Sequence, residues 1–161
     1  MKYEVCAESA EGVRAALAAG ADRVELCADL AVGGTTPSAG LVEWAVHAAR
    51  AAVAPVSSAS SGAGRRLGVH VLIRPRGGDF VYDTDEADVM ARDIQFVKTT
   101  GADGVVIGAL TPGATVDVPL MTRLIGLARP LSVTFHRAFD ETADPLNAFG
   151  DVLSLGADRL L

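Results

Sequence analysis

The sequence lacks the features of several protein classes. It carries a formal net charge of −6 and no basic stripe, which argues against nucleic-acid binding. No apolar run is long enough to span a bilayer, so we expect no membrane association. The first residues include Glu4 and no apolar core segment, and therefore do not resemble a signal peptide. With two cysteines in 161 residues and no export signal, we expect a cytoplasmic protein with reduced thiols.

Metal-ligand spacing is also missing, because no Cys-x-x-Cys or His-x-x-His pair occurs. The two cysteines nevertheless have similar contexts, Glu4-x-Cys6 and Glu25-x-Cys27, on what we predict to be neighbouring strands. Two thiolates suit a soft cation such as Cu(I). The alternative is that Cys6 and Cys27 are buried thiols that serve as small apolar side chains.

What the chain does have is a regular alternation of apolar strands and helices. Half of its residues are apolar, which suffices for one domain with its own core. Gly-Ala-Asp occurs at residues 20–22, 101–103 and 156–158, each time after a predicted helix and before a strand. The glycine ends the helix and the aspartate closes the turn. Such alternation demands a parallel sheet with right-handed crossovers.

Five strand–helix units and the start of a sixth strand are predicted. The strands are Tyr3–Ala7, Val24–Ala28, a third from Val69 to before Pro75, Gly104–Ala109, Leu131–Phe135 and the start at Leu160-Leu161. The helices are 10–19, one capped by Ser38 and ending near 53, one capped by Thr84 and ending at 100, and two that begin at Asp117 and at Asp144-Pro145. A flexible insertion is expected at about 55–66.

Two α/β architectures fit this order, a doubly wound open sheet and a (β/α)8 TIM barrel. A strand that breaks off at residue 161 favours the second, and a barrel of eight units needs about 200 residues or more. We therefore predict a single, incomplete TIM-barrel domain over residues 1–161, with only the first five units and the start of strand six.

Alternation within the strands separates an apolar face from a face of ionisable groups. In the third strand, Val69 and Val71 share one face while His70 and Arg74 share the other. The same separation puts these further groups on the second face: Glu4, Cys6, Glu25, Cys27 and His136. If the apolar face packs against helices, the second face lines the barrel interior. Burying so many ionisable groups is costly unless they pair or bind something.

Arginine and histidine follow the carboxyl ends of two strands, where barrels place their chemistry. Arg74 and Arg76 predict an anion site for phosphate or carboxylate. The alternative is a structural ion pair with Glu4, Glu25 or Asp79.

His136 follows the fifth strand and has two interpretations as well. It can serve as a general acid or base, or as a ligand, with Glu4 or Glu25 as its partner. The alternative is a core histidine hydrogen-bonded to Glu25 or Thr134.

Five segments together resemble the copper homeostasis protein CutC family. They are Gly-Ala-Asp-Arg-Val-Glu-Leu-Cys (20–27), Gly-Gly-Thr-Thr-Pro-Ser (33–38), Ile-Arg-Pro-Arg-Gly-Gly-Asp-Phe-Val-Tyr (73–82), Gly-Ala-Asp-Gly-Val-Val-Ile-Gly (101–108) and Thr-Phe-His-Arg-Ala-Phe-Asp (134–140). The resemblance implies a TIM barrel, a cytoplasmic location and a role in copper handling. It also implies Cu(I) binding at the cysteines that match Cys6 and Cys27.

The chain departs from the family in its insertion and in stopping where the family continues into the last strands. We therefore expect a truncated chain with two bare sheet edges, which alone is poorly stable or forms homo-oligomers. Three functions remain open. The first, which we adopt as our prediction, is Cu(I) binding in cytoplasmic copper homeostasis through the thiolates of Cys6 and Cys27, and the other two are alternatives. The second is a TIM-barrel enzyme for a small anionic substrate, with Arg74 and Arg76 as clamp and His136 as acid or base. The third is an inactive fragment.

Overall fold

The fold was obtained as a computed structural model that describes residues 2–52 and 66–161. The predicted insertion at about 55–66 lies outside the described residues except for Arg66. The strands are β1 Glu4–Ala7, β2 Arg23–Leu26, β3 Gly68–Leu72, β4 Gly104–Ile107, β5 Ser132–Phe135 and β6 Arg159–Leu160. The helices are α1 Ala10–Ala18, α2 Ala39–Ala51, α3 Thr84–Thr100, α4 Val118–Ala128 and α5 Pro145–Ser154.

The six strands form one parallel sheet in which spatial order equals sequence order. A doubly wound sheet reverses its strand order partway, whereas a barrel wall does not. The sheet is curled into a half-barrel, which confirms the predicted parallel α/β architecture. Among the described strands, β1 and β6 each pair on one side only.

The core lies between this sheet and the helices. Alternate strand positions point into it, and the side chains there are almost fully buried: Val24, Leu26, Val69, Val71, Val105, Ile107, Val133 and Phe135. This confirms the alternation predicted for the second, third and fifth strands. The remaining positions of those strands therefore face the inside of the half-barrel.

Most predicted helix starts are confirmed, since the hydroxyls of Ser9 and Ser38 cap α1 and α2. The prediction that Thr84 caps α3 is wrong. Asp83 is the cap: its carboxylate accepts from the Glu86 N–H at 2.8 Å, and the Glu86 carboxylate accepts from the Asp83 N–H at 3.1 Å. Two reciprocal hydrogen bonds satisfy more free N–H groups than one hydroxyl does. No helix within residues 2–52 and 66–161 is long and apolar enough to cross a membrane.

The three Gly-Ala-Asp segments connect neighbouring strands. Their glycines have φ of +69°, +82° and +72°, as expected just past a helix end. Each aspartate reaches back to the backbone N–H at the start of the preceding strand: Asp22 to Tyr3 at 2.5 Å, Asp103 to Val69 at 2.8 Å and Asp158 to Val133 at 2.7 Å. These carboxylates therefore join β1 to β2, β3 to β4 and β5 to β6, beyond closing their own turns.

Candidate functional site

A row of polar side chains crosses the inner face of the half-barrel. Parallel pairing sets Cys6 opposite Glu25, Glu25 opposite His70 and His70 opposite Gly104. Paired residues point to the same face, and neighbouring strands lie about 4.8 Å apart. A thiol, a carboxyl group and an imidazole are therefore neighbours on three strands, as strand alternation predicts.

Glu25 is the carboxyl group in the middle of this row. Its partial burial, and secondarily the negative charge of Glu4, raise the pKa of Glu25 to about 7. A carboxyl group with that pKa exchanges its proton near neutral pH, which is the property required of a general acid or base.

Glu4, the other predicted catalytic carboxylate, has a different environment. Its Oε2 lies 2.7 Å from Nε and 2.6 Å from Nη2 of Arg23, its paired residue on β2. Glu4 sits two residues before Cys6, closer to the amino ends of the strands, and does not line the cavity that contains His136. The structure thus brings Glu25, but not Glu4, to that cavity.

His136 directly follows β5 and is 3% exposed. Its Nδ1 accepts a hydrogen bond from the Ala138 N–H at 3.2 Å, and its ring centroid lies 5.0 Å from that of Phe80. The predicted bond to Glu25 or Thr134 is not formed, because the chain turns at His136 and its own backbone reaches the ring first. Burial lowers the pKa of His136 to about 3, so the ring is neutral. With Nδ1 accepting, the proton is assigned to Nε2, which has no acceptor among the described residues.

Glycines on and after β4 make room for both inner histidines. A Cβ at Gly108 would lie 2.5 Å from Nδ1 of His136, and one at Gly104 would lie 2.5 Å from Nδ1 of His70. Such distances are too short for any side chain. Burial lowers the pKa of His70 to about 4, so this ring is neutral as well.

Arg74 is 4% exposed and has no carboxylate partner in the part of the chain that the structure describes. Its guanidinium donates to the carbonyl oxygens of Val32 at 3.0 Å, Gly34 at 2.9 Å and Gly78 at 2.6 Å. Its Cζ lies 4.7 Å from the centre of the Phe80 ring. The predicted ion pair with a carboxylate is therefore replaced by a cage of backbone carbonyls that ties two loops together. The positive charge is left uncompensated by any carboxylate.

Arg76 points to different partners. Its Nε lies 2.5 Å from Glu86 Oε1, and its Nη2 lies 3.0 Å from Asp79 Oδ1. This geometry matches the structural ion pair that we kept as the alternative. The guanidinium of Arg76 is compensated by two carboxylates, unlike that of Arg74, and anion binding by Arg76 stays a prediction.

Arg137 is the functional candidate that sequence reasoning missed. It is exposed, and its guanidinium has no ion-pair or hydrogen-bond partner in residues 2–52 and 66–161. A Cβ at Gly33 would lie 3.0 Å from Arg137 Nη1 and 3.3 Å from Arg74 Nη1, so the two guanidiniums converge over Gly33. Strand alternation assigns Arg137 to the outer face, but β5 ends before it and a 3₁₀ turn, Arg137–Glu141, re-aims it. Arg137 could have been identified from the sequence because it directly follows the candidate site residue His136.

Two adjoining cavities lie at the carboxyl ends of the strands. The inner one, of about 200 Å³, is lined by Cys6, Glu25 and His136, and the outer one has about 500 Å³. Arg74, Phe80 and Arg137 line both. The combined space is in the size range of small-molecule sites.

The two cysteines lie on the same inner face of adjacent strands, and Cys27 is two residues further along than Glu25, the residue that pairs with Cys6. Cys27 is fully buried and its thiol donates to the Ala7 carbonyl oxygen at 3.6 Å. Burial, followed by the charge of Glu25, raises the pKa of Cys27 to about 12. Cys6 is exposed, yet partial burial and the charges of Glu25 and Glu4 raise its pKa as well.

The donors thus fit Cu(I) in type, because two soft thiols face the same side. They fit it less well in state, because both thiols favour the protonated form, whereas the metal ligand is the thiolate. No group of three or more His, Cys, Asp or Glu side chains suited to a metal occurs among the described residues.

Comparison with known proteins gives a consistent result. The model of the CutC family matches residues 1–161. A Bacteroides thetaiotaomicron protein described as a family protein CutC is 46% identical over 160 residues, which cover 99% of this chain and 58% of that protein. The human "Copper homeostasis protein cutC homolog" is 44% identical over 158 residues, which cover 98% of this chain and 52% of that protein.

Solved structures agree. The crystal structure of the CutC protein of Streptococcus agalactiae superposes with a TM-score of 0.86 at 33% identity, covering 99% of this chain and 71% of that one. The carboxyl transferase domain of Rhizobium etli pyruvate carboxylase reaches a TM-score of 0.58 at 13% identity, which shows a shared fold alone. The chain spans a little over half the length of the curated relatives it matches.

Proposed function

The chain belongs to the CutC family, and on that premise we propose that it binds a small anionic molecule, bearing phosphate or carboxylate, at the carboxyl ends of its strands. We further propose that it transfers a proton on that molecule. The observation that supports this most directly is the buried guanidinium of Arg74, which has carbonyl partners but no carboxylate partner among the described residues. A buried cation without a counter-charge is costly, and a bound anion would offset that cost.

His136 supplies the second donor of the proposed anion site. Its Nε2–H is buried without an acceptor in the described part of the chain, and its ring lines the same inner cavity as Arg74. A buried donor left unpaired costs about 1–3 kcal/mol, which an oxygen of the ligand would recover. Burial raises the pKa of the nearby Tyr82 to about 12, although the positive charge of Arg74 and a hydrogen bond from it act in the opposite direction.

Glu25 has the proton-transfer role in this proposal. It lines the inner cavity, and burial and Glu4 raise its pKa to about 7. His136, which burial keeps neutral with a pKa of about 3, acts as a hydrogen-bond donor that needs no change of charge. The two groups therefore divide the work: Arg74 and His136 hold the anion, and Glu25 gives or takes the proton.

Histidine NMR tests this proposal directly. We expect titration with inorganic phosphate or acetate, at constant ionic strength, to shift the ring resonances of His136. The exposed ring of His47, on α2, is the internal control and should not move. Equal small shifts of both rings would indicate a bulk salt effect and contradict the anion site.

A second candidate function is copper handling in the cytoplasm, which we propose because the human relative is named as a copper homeostasis protein. Cys6 and Cys27, on the same face of adjacent strands, are the side chains that would hold Cu(I). Cu(I) binding would have to displace both thiol protons, one of which is donated to the Ala7 carbonyl.

Anaerobic Cu(I) titration of the reduced protein against a competing chelator tests this candidate. We expect one-to-one binding that is lost in the Cys6→Ser/Cys27→Ser variant, whereas Arg92→Gln, on the exposed surface of α3, should bind like the original chain. Equal weak binding by all three proteins would contradict a thiolate site. Failure of both the copper and the anion titrations would contradict both candidate functions.

For the whole protein we propose a closed eight-stranded (β/α) barrel, of which the half-barrel described above is one part. The unreversed strand order and the match to a longer CutC structure support this.

A further inference from the structure

We propose that Arg137 contacts the anionic group of the ligand, and that the organic body of the ligand lies in the outer cavity. This rests on the proposed anion site and adds to it a second cation and a ligand class. The class is an organic phosphate monoester or carboxylate with an apolar body.

The convergence of two guanidiniums supports the first half of the proposal. The Nη1 atoms of Arg74 and Arg137 approach the same point above Gly33, at 3.3 Å and 3.0 Å from where a Cβ would stand. Like charges that approach one point repel each other, and an anion between or beside them would offset that repulsion. No carboxylate of the described chain pairs with either one. Arg74 is anchored by three carbonyls and keeps its Nε–H unpaired among the described residues, whereas the guanidinium of Arg137, on the exposed side, has all its donors free to engage a ligand.

The charges around the inner cavity point the same way. Its cationic lining side chains are Arg74 and Arg137, and its only carboxyl side chain among the described lining residues is Glu25. Burial raises the pKa of Glu25 to about 7, so near neutrality this group is partly uncharged and the cavity is net positive. In the outer cavity, Asp79 is already paired with Arg76, which leaves Glu141 as an exposed acidic group.

The outer cavity has room for more than an inorganic ion. Its volume of about 500 Å³ far exceeds that of phosphate, and its apolar lining consists of Val32, Phe80, Val81, Leu110, Pro112 and Ala114. The walls are tied together by backbone hydrogen bonds, from Leu110 N–H to the Phe80 carbonyl and from Ala143 N–H to the Ala114 carbonyl, both at 2.9 Å. A partly apolar pocket with a few charged groups at one end suits a ligand with an ionic head and an apolar body.

Calorimetric titration with four probes at constant ionic strength tests both halves. The probes are inorganic phosphate, phenyl phosphate, benzoate and phenol. We expect phenyl phosphate or benzoate to bind at least about tenfold more tightly than inorganic phosphate, because the ring is buried in the outer cavity. The tighter of the two identifies the head group as phosphate or carboxylate. Phenol, which lacks the charge, should bind at least about tenfold more weakly than the tighter of them.

Two variants test separately the binding of the ligand's anionic group and of its apolar body. Arg137→Gln removes an exposed cation that has no partner among the described residues, so we expect unchanged folding and a loss of affinity of about tenfold or more for every anionic probe. Val32→Ser removes apolar wall only, and should weaken phenyl phosphate several-fold while leaving inorganic phosphate unchanged. Arg92→Gln, a highly exposed arginine on α3, is the control and should leave all affinities unchanged.

The outcomes distinguish this inference from the function on which it rests. If inorganic phosphate binds and shifts His136 but Arg137→Gln binds it equally well, the assignment of Arg137 is wrong and the anion site stands. If phenyl phosphate and benzoate bind no more tightly than inorganic phosphate, the outer cavity does not bind the apolar body of the ligand. If the original chain binds none of the anions, both proposals are wrong.

Discussion

At the scale of single residues, Glu25 makes a testable contribution to the pH dependence of stability. Its pKa, raised by burial and by Glu4, is about 7 in the fold, against an ordinary value of 4.5. Between these values the folded chain binds more protons than the unfolded chain, so the contribution of Glu25 to the free energy of unfolding decreases as pH rises. We expect a decrease of about 3 kcal/mol from pH 4 to pH 8.

The variant Glu25→Gln isolates this effect, because glutamine resembles the protonated form at every pH. We expect the difference in free energy of unfolding, variant minus original, to rise steadily from pH 5 to pH 8 in urea titrations. Burial lowers the pKa values of His70 and His136 to about 4 and about 3, so their contribution to the free energy of unfolding decreases as the pH falls instead. They are present in both proteins and cancel in the difference. Parallel stability curves would show that Glu25 is not perturbed.

At the scale of secondary-structure elements, the Gly-Ala-Asp aspartates connect strands in pairs, and Asp103 is the clearest case. The carboxylate of Asp103, which directly precedes β4, accepts a hydrogen bond of 2.8 Å from the N–H of the buried Val69 in β3. Asp103→Ala leaves that donor unpaired, which costs about 1–3 kcal/mol. Urea unfolding measures the loss.

Asp88→Ala is the matched control for this prediction, because Asp88 is an exposed aspartate on α3 with only arginine partners. Exposed ion pairs contribute about 0–1 kcal/mol, so we expect a small change. Equal losses in the two variants would mean that the bond to Val69 adds nothing beyond surface electrostatics.

The elements also show which parts of the fold and site were predictable. Strand alternation predicts that Glu25, His70 and Arg74 lie on the inner face, because a strand has a two-residue period and the core accepts only its apolar side. It does not predict the carbonyl cage of Arg74 or the exposure of Arg137. The carbonyl contacts of Arg74 and the exposure of Arg137 depend on how the loops after β2, β3 and β5 pack against one another. Loop conformation follows no periodic sequence pattern, so it could not be predicted in the same way.

The properties of the two cysteines were also only partly predictable from the sequence. The pattern Glu-x-Cys on two strands predicts that Cys6 and Cys27 share a face, and they do. Sequence spacing contains no information about protonation, which depends on the burial of Cys27 and the nearness of Glu25. The shared face of the two thiols was therefore predictable, whereas their protonation state was not.

At the scale of the whole molecule, apolar surface remains uncovered on the 161-residue chain. Leu146, Phe149 and Leu153 lie on one side of α5 at helical spacing and are 86%, 46% and 61% exposed. Tyr3, just before β1, and Val5 within it are also exposed, on a strand that pairs on one side only among the described residues. Bare strand edges and contiguous apolar patches promote association with other chains.

We therefore expect this chain to self-associate in solution, with an average mass in sedimentation equilibrium that rises with concentration. The double variant Leu146→Lys/Leu153→Lys puts two charges on the α5 patch and should lower that mass. Val89→Lys changes a single exposed apolar residue on α3 and should not, because isolated exposed apolar side chains are ordinary. A monodisperse, cooperatively melting monomer would show instead that the exposed α5 face and the edge of β1 are tolerated in water. In that event the half-barrel is stabilised by the core beneath its helices alone.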